Sequence, residues 1–95
     1  MPYRIDIYIG SDNDSKKIDG RYLNKVKRWA NGVFPDGYTI VKGKGYYHGV
    51  SEDSLILHVL LDYDVNLENQ LSRLKKELGQ ETILVVKSKV DVRVI

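Results

Sequence analysis

The sequence predicts an α+β domain of element order β-α-β-β-α-β, and three observations carry that reading. Apolar residues alternate with period two from Tyr3 to Ile9. They recur at helical spacing in two segments, around Tyr22–Val33 and Leu67–Leu78. Two further strand-like runs lie between those segments, and another closes the chain. Right-handed crossovers then bring both helices to one face of a four-stranded antiparallel sheet, the ferredoxin-like sandwich. With 95 residues, the chain has room for one such domain spanning 1–95 and none for a second core.

In the first strand Tyr3, Ile5, Ile7 and Ile9 face one way, and Arg4, Asp6 and Tyr8 the other. The run Gly10-Ser11-Asp12-Asn13-Asp14-Ser15 reads as a loop. A helix capped near Asp19 follows, with Tyr22, Val26, Trp29 and Val33 on one face and Leu23 and Ala30 widening the stripe. Pro35-Asp36-Gly37 stops it. Tyr38 to about Lys44 alternates as a strand, and Gly45 to Ser51 is expected to interrupt it. From Asp53 to Leu61 the chain is apolar on both faces except at His58, the pattern of a central strand or one covered by a partner. Leu67, Leu71, Leu74 and Leu78 form the seam of the second helix, and Gly79 is placed to end it. Thr82 to Val86 and the alternating Val90 to Val94 supply the last strand.

Composition excludes more than it identifies. Without cysteine there is no disulfide, thiolate zinc site or thiol nucleophile, and a reducing cytoplasm is the expected compartment. No membrane span or signal peptide is legible. A net charge of +2 is too small to mark a nucleic-acid binder. Lys16, Lys17, Arg21, Lys25, Lys27 and Arg28 do crowd the first third of the chain, where they read first as the solvated face of the helix and second as a dock for phosphates or an acidic partner.

Ile7-Tyr8-Ile9-Gly10 looks like the first-strand signature of an RNA-recognition motif, but the third strand lacks the matching glycine and aromatics, so nucleic acid is not the expected partner. His48, Glu52, Asp53 and His58 fit no metal-ligand spacing, and no metal is expected. His58 reads instead as an interface histidine satisfied by a hydrogen bond. Gly43-x-Gly45 is too short for a dinucleotide loop, and no cofactor is expected. The most informative stretch runs from Gly43 to Ser54. Tyr46, Tyr47 and Glu52 stand at the mouth of a hairpin beside glycines that admit a ligand to the backbone. The same residues also suit an ordinary polar hairpin tip with the tyrosines split between the sheet faces. Finally, two helices on one side leave the other sheet face bare, with Arg4, Asp6, Tyr8, Ile56 and Leu60 on it, so self-association through that face is expected.

That hairpin, taken with Gln80-Glu81-Thr82-Ile83-Leu84-Val85-Val86-Lys87-Ser88, resembles the small phage-encoded enzymes that degrade S-adenosylmethionine, formerly called hydrolases and now lyases. The likeness spans about Phe34 to Ser88 and rests on the Glu52-x-Ser54 step. It implies a PII-like ferredoxin fold, homotrimers with sites between subunits, S-adenosylmethionine as substrate, and the host cytoplasm as location. It further implies Glu52 as the essential carboxylate. On that reading Tyr46 and Tyr47 line the adenine or sulfonium pocket, and Tyr8 is a further lining residue. Phe34-Pro35-Asp36-Gly37, Gly43-x-Gly45, Glu52-x-Ser54 and Gly79-Gln80-Glu81 are also similar to an uncharacterised bacterial domain family of no established activity. A PII-like module that binds a small metabolite without turning it over is the alternative reading.

Overall fold

The computed structural model describes residues 2–95. Its elements are β1 (Tyr3–Gly10), α1 (Gly20–Val33), β2 (Thr39–Tyr47), β3 (Val50–Leu61), α2 (Glu68–Leu78) and β4 (Leu84–Lys89). The strands form one sheet in the order β2-β3-β1-β4, every neighbouring pair antiparallel. This is the βαββαβ ferredoxin-like topology read from the sequence.

Period-two burial decides which face is dry. Ile5, Ile7 and Ile9 of β1 pair in register with Val59, Leu57 and Leu55 of β3, and all six are buried. Val26 and Ala30 of α1 and Leu74 of α2 close over them. At roughly 1.5–3 kcal/mol per buried large apolar side chain, this layer is the main source of stability. Trp29 links the helices, its indole N–H donating to the Gln70 carbonyl at 2.9 Å. Asp19 caps α1 by accepting from the Tyr22 amide at 2.9 Å. Gly79 ends α2 at φ 68°, a left-handed conformation that other residues adopt at a cost of about 1–2 kcal/mol.

The strand limits differ from the sequence reading at the hairpin and at both ends of the last strand, which begins at Leu84 rather than Thr82. The hairpin is tighter than the expected Gly45–Ser51 interruption, because β2 runs on to Tyr47 and β3 begins at Val50. His48 and Gly49 alone make the turn, at φ 50° and 78°, the pair of positive values that a type I′ hairpin requires. At the other end β4 stops at Lys89. The alternating residues after it lie outside the sheet, since β1 begins at Tyr3 and offers no strand beyond the last rung, Val90 amide to Pro2 carbonyl at 3.0 Å.

β3 is longer than its neighbour β1, which ends opposite Ser54. Beyond that point residues 11–18 continue beside the hairpin, joined to it by the Asp53 amide donating to the Lys16 carbonyl at 3.0 Å. Ile18 of this loop is buried in the core. None of the helices described is long and apolar enough to cross a membrane. Replacing Leu57 by alanine should lower stability by about 2–5 kcal/mol, and Gly79→Ala by about 1–2 kcal/mol, as read by urea unfolding.

Candidate functional site

The face away from the helices is uncovered, as the sequence implied. Arg4, Asp6 and Tyr8 of β1 stand opposite Leu60, His58 and Ile56 of β3, flanked by Val41 of β2 and by Leu84 and Val86 of β4. Leu60 is 56% exposed and Leu84 62%. In the middle of this apolar field Asp6 is buried, held by His58 Nδ1 at 2.7 Å and Arg4 Nε at 3.2 Å. The hydrogen-bonded role expected of His58 is thus seen.

Glu52 lies on the same face, where β3 outruns β1. The register sets Gly45 opposite Glu52, and Gly43 opposite Ser54, which itself faces Gly10. These glycines leave the backbone bare: a Cβ at Gly43 would meet nothing within 4 Å, and one at Gly45 only the Ser54 Cβ at 3.9 Å. A lane of small residues therefore runs across β2 and β3 beside a carboxylate, next to Ile56, Val41 and Tyr8; at Gly10 it is closed by Gln80 Oε1, 3.3 Å from where a Cβ would stand. A planar group can lie flat on such a surface.

The four sequence-predicted residues are not all brought together. Tyr47, opposite Val50, shares Glu52's face one alternation away, about 7 Å along the strand. Tyr8, opposite Ile56, is four residues down the register, about 13 Å from Glu52 along β3. Tyr46, opposite Ser51, points to the other face. The tyrosines flanking the turn are split between the faces and both 74% exposed, with the Tyr47 ring edge-on to His48 at 4.3 Å. The main cavities of the chain lie elsewhere. One of about 580 Å³ sits between α2 and β4, and neither it nor the three smaller ones beside Thr39, Tyr63 and Arg21 is lined by Glu52, Tyr8, Tyr46 or Tyr47.

A polar cluster supports Glu52 from behind. The Ser11 hydroxyl, buried, donates to Glu52 Oε2 at 3.5 Å, the outer limit of a hydrogen bond. The Gln80 amide donates to the Ser11 carbonyl at 2.6 Å and to the Tyr22 hydroxyl at 3.0 Å, and that hydroxyl donates to the Gly10 carbonyl. Burial holds the Tyr22 phenol above its ordinary pKa, which keeps it a donor. One spot thereby gathers the end of β1, α1, the start of the β4 segment and β3.

Asp53, the next residue, points to the opposite face and does different work. Its carboxylate accepts from Lys44 Nζ at 2.6 Å and from the Ile18 amide at 3.0 Å, with Lys42 Nζ at 3.9 Å. The Lys44 hydrogen bond, then that of the Ile18 amide, holds its pKa below the ordinary carboxylate value. Asp53 thus clamps loop 11–18, and with it Ser11, against the hairpin. Sequence reasoning did not count Asp53, Ser11, Gln80 or Tyr22 as site residues. For Asp53 a signal existed: it holds a core-facing position of β3, where a carboxylate needs partners. Gln80 and Ser11 carry no such signal, because their meeting depends on loop paths.

Among the described residues, no three histidine or acidic side chains converge as a metal site. Lys17 of the preceding loop and Arg21 and Lys25 of α1 line a shallow cavity together with Asp12 and Asp19, so carboxylates interleave the basic residues.

The sequence matches no protein-family model and no curated protein. Among solved structures, the chain is similar to a phage S-adenosylmethionine lyase in its apo state: 21% identity, TM-score 0.59, covering 90% of this chain and 78% of that one. It is also similar to a phage S-adenosylmethionine lyase in complex with S-methyl-5′-thioadenosine: 15% identity, TM-score 0.51, covering 93% and 81%. These likenesses establish a shared fold.

The clamp predicts an acid response. A carboxylate whose folded pKa is depressed contributes stability above its unfolded value of about 3.9, and that contribution is lost as pH falls through the folded value. Urea unfolding from pH 6 to pH 2 should therefore show a loss below about pH 4 that is shallower in Asp53→Asn, whose stability at neutral pH is already reduced.

Proposed function

We propose that this chain degrades S-adenosylmethionine, releasing methylthioadenosine and homoserine lactone. The observation that carries the reading is the fold shared with phage S-adenosylmethionine lyases, one of them holding S-methyl-5′-thioadenosine. The carboxylate beside a bare strip of backbone on the open face supports it.

The chemistry asks little of the protein. The substrate's own carboxylate oxygen bonds to its γ-carbon as the carbon–sulfur bond breaks, and the bonding pair leaves on sulfur. A cationic sulfonium becomes a neutral thioether, and the carboxylate charge vanishes into the lactone ester. Nucleophile and electrophile are tethered, and well-oriented intramolecular reactions reach effective molarities of about 10⁵–10⁸ M. A site that folds the methionine chain and excludes water favours this charge annihilation over bulk solution.

In this reading Glu52 is an anchor, taking up ribose hydroxyls or the ammonium group, and transfers no proton. Tyr47 offers the aromatic wall on Glu52's own face. Tyr46 and Tyr8, on the opposite face and about 13 Å away along the strand, contribute across a subunit boundary. The exposed sheet face packs against its copies to form a homotrimer whose sites lie at the seams. That explains why the lane beside Glu52 is shallow in a single chain.

Incubation with S-adenosylmethionine, followed by chromatography, should yield methylthioadenosine together with homoserine lactone. Homoserine from the outset would indicate attack by water, and unchanged but bound substrate would indicate a metabolite-binding module. Glu52→Gln, nearly isosteric, should fold normally and lose about 100-fold or more in turnover, the scale of loss expected when reacting atoms are misplaced by an ångström. Light scattering should return a mass that is a multiple of three chains; a stable monomer would remove the intersubunit pocket.

A further inference from the structure

β4 is an edge strand whose sequence invites pairing. All six of its residues are exposed, including Leu84, Val85 and Val86, and its outer backbone groups have no neighbour in the sheet. Exposed strand edges pair with other chains unless something blunts them, and here Lys87 and Lys89 guard the second half of the strand, so that pairing requires a partner that answers their charge. The residues after it, Val90-Asp91-Val92-Arg93-Val94-Ile95, alternate β-branched and charged side chains, yet form no secondary structure. Val94 is fully exposed, and among the described residues Asp91 reaches only Arg93 at 3.9 Å, with both side chains in solvent. A strand-forming segment thus follows directly on an unpaired strand edge.

The charge order selects an occupant. Along 84–95 the charged residues are Lys87, Lys89, Asp91 and Arg93. Because the Val90 amide turns inward to Pro2, Lys89 and Asp91 turn their backbone groups outward, where an antiparallel partner would bond them. With a two-fold axis at Val90, Lys89 of each copy faces Asp91 of the other. Val86 then faces Val94, Val85 faces Ile95, and Val90 faces itself. Lys87 comes opposite Arg93, but Lys87 is already held by Asp64. Shifting the axis back to Lys89 sets that lysine against itself, and back to Ser88 sets Lys87 against Lys89. Forward to Asp91 it opposes two carboxylates, and further forward the pairing leaves the formed strand. The Val90 axis also lays residues 91–95 beside the groove of about 580 Å³ between α2 and β4, which Ile5, Val65, Leu67, Leu71 and Val85 line.

We propose that two copies of the chain join antiparallel through residues 84–95, β4 of each extended by the segment that follows it, about a two-fold axis at Val90. The contact is isologous, uses a different surface from the open sheet face, and does not depend on the enzymatic reading. Combined with a trimer through that face, it would give a particle of six chains.

The chain contains no cysteine, so single-cysteine variants report the axis cleanly. Facing residues of a non-hydrogen-bonded antiparallel pair have Cα atoms about 4.5 Å apart, within disulfide reach. Under mild oxidation Val90→Cys should form a covalent dimer on a non-reducing gel, while Ser88→Cys, whose counterpart is Val92, should remain a single chain. Asp91→Lys should halve the particle mass in light scattering, and the charge swap Lys89→Asp with Asp91→Lys should restore it. Val90→Cys that cross-links no faster than Ser88→Cys, or Asp91→Lys with undiminished mass, would overturn the proposal.

Discussion

The packing of Ile5, Ile7 and Ile9 against Leu55, Leu57 and Val59 is the interaction on which the rest of the structure depends. These two central strands present one apolar face each, in register, and α1 and α2 cover that face alone. A slip of one residue would send the whole set to the solvent side. Once that register is set, Arg4, Asp6, Tyr8, Glu52, Ser54, Ile56 and His58 have only one place to go. The open face is thus the necessary counterpart of the core, and what it carries is available to a ligand or another copy of the chain.

The same alternation separates support from function at the hairpin. Asp53 turns toward the helix side, where two lysines and the Ile18 amide satisfy it, and Glu52 turns the other way beside bare glycine backbone. Adjacent carboxylates thereby occupy opposite environments. One is fixed by partners and tightens loop 11–18. The other, touched only distantly by Ser11, keeps most of its hydrogen-bonding capacity for something outside the chain. In the proposed reaction that spare capacity holds a substrate whose own atoms do the chemistry.

Both unfinished surfaces of the molecule follow from one economy of layers. Two helices are enough to cover one face of a four-stranded sheet, and they cover it best over β1 and β3. The far face stays open and β4 remains wet on both sides. A chain of this size would reach a fuller core by borrowing surface from copies of itself, which is where the open-face and β4-edge proposals meet.

How much of this was legible beforehand depends on the range of the interaction concerned. Period-two and helical spacing reveal the six elements, the Asp19 cap, the Gly79 stop and the open-face set Arg4, Asp6 and Tyr8, because each is decided within a few neighbouring residues. The His48-Gly49 turn is not legible in the sequence because histidine lacks the strong left-handed preference of glycine or asparagine, and the register of the flanking strands selects it. The strand limit at Lys89 depends on where β1 begins, and the Gln80–Ser11–Tyr22–Glu52 cluster joins positions up to 69 residues apart. Local pattern settled which residues form elements and which face each presents. Only the tertiary structure decided which side chains meet across elements, because hydrogen bonds over such separations follow from the paths of loops between strands.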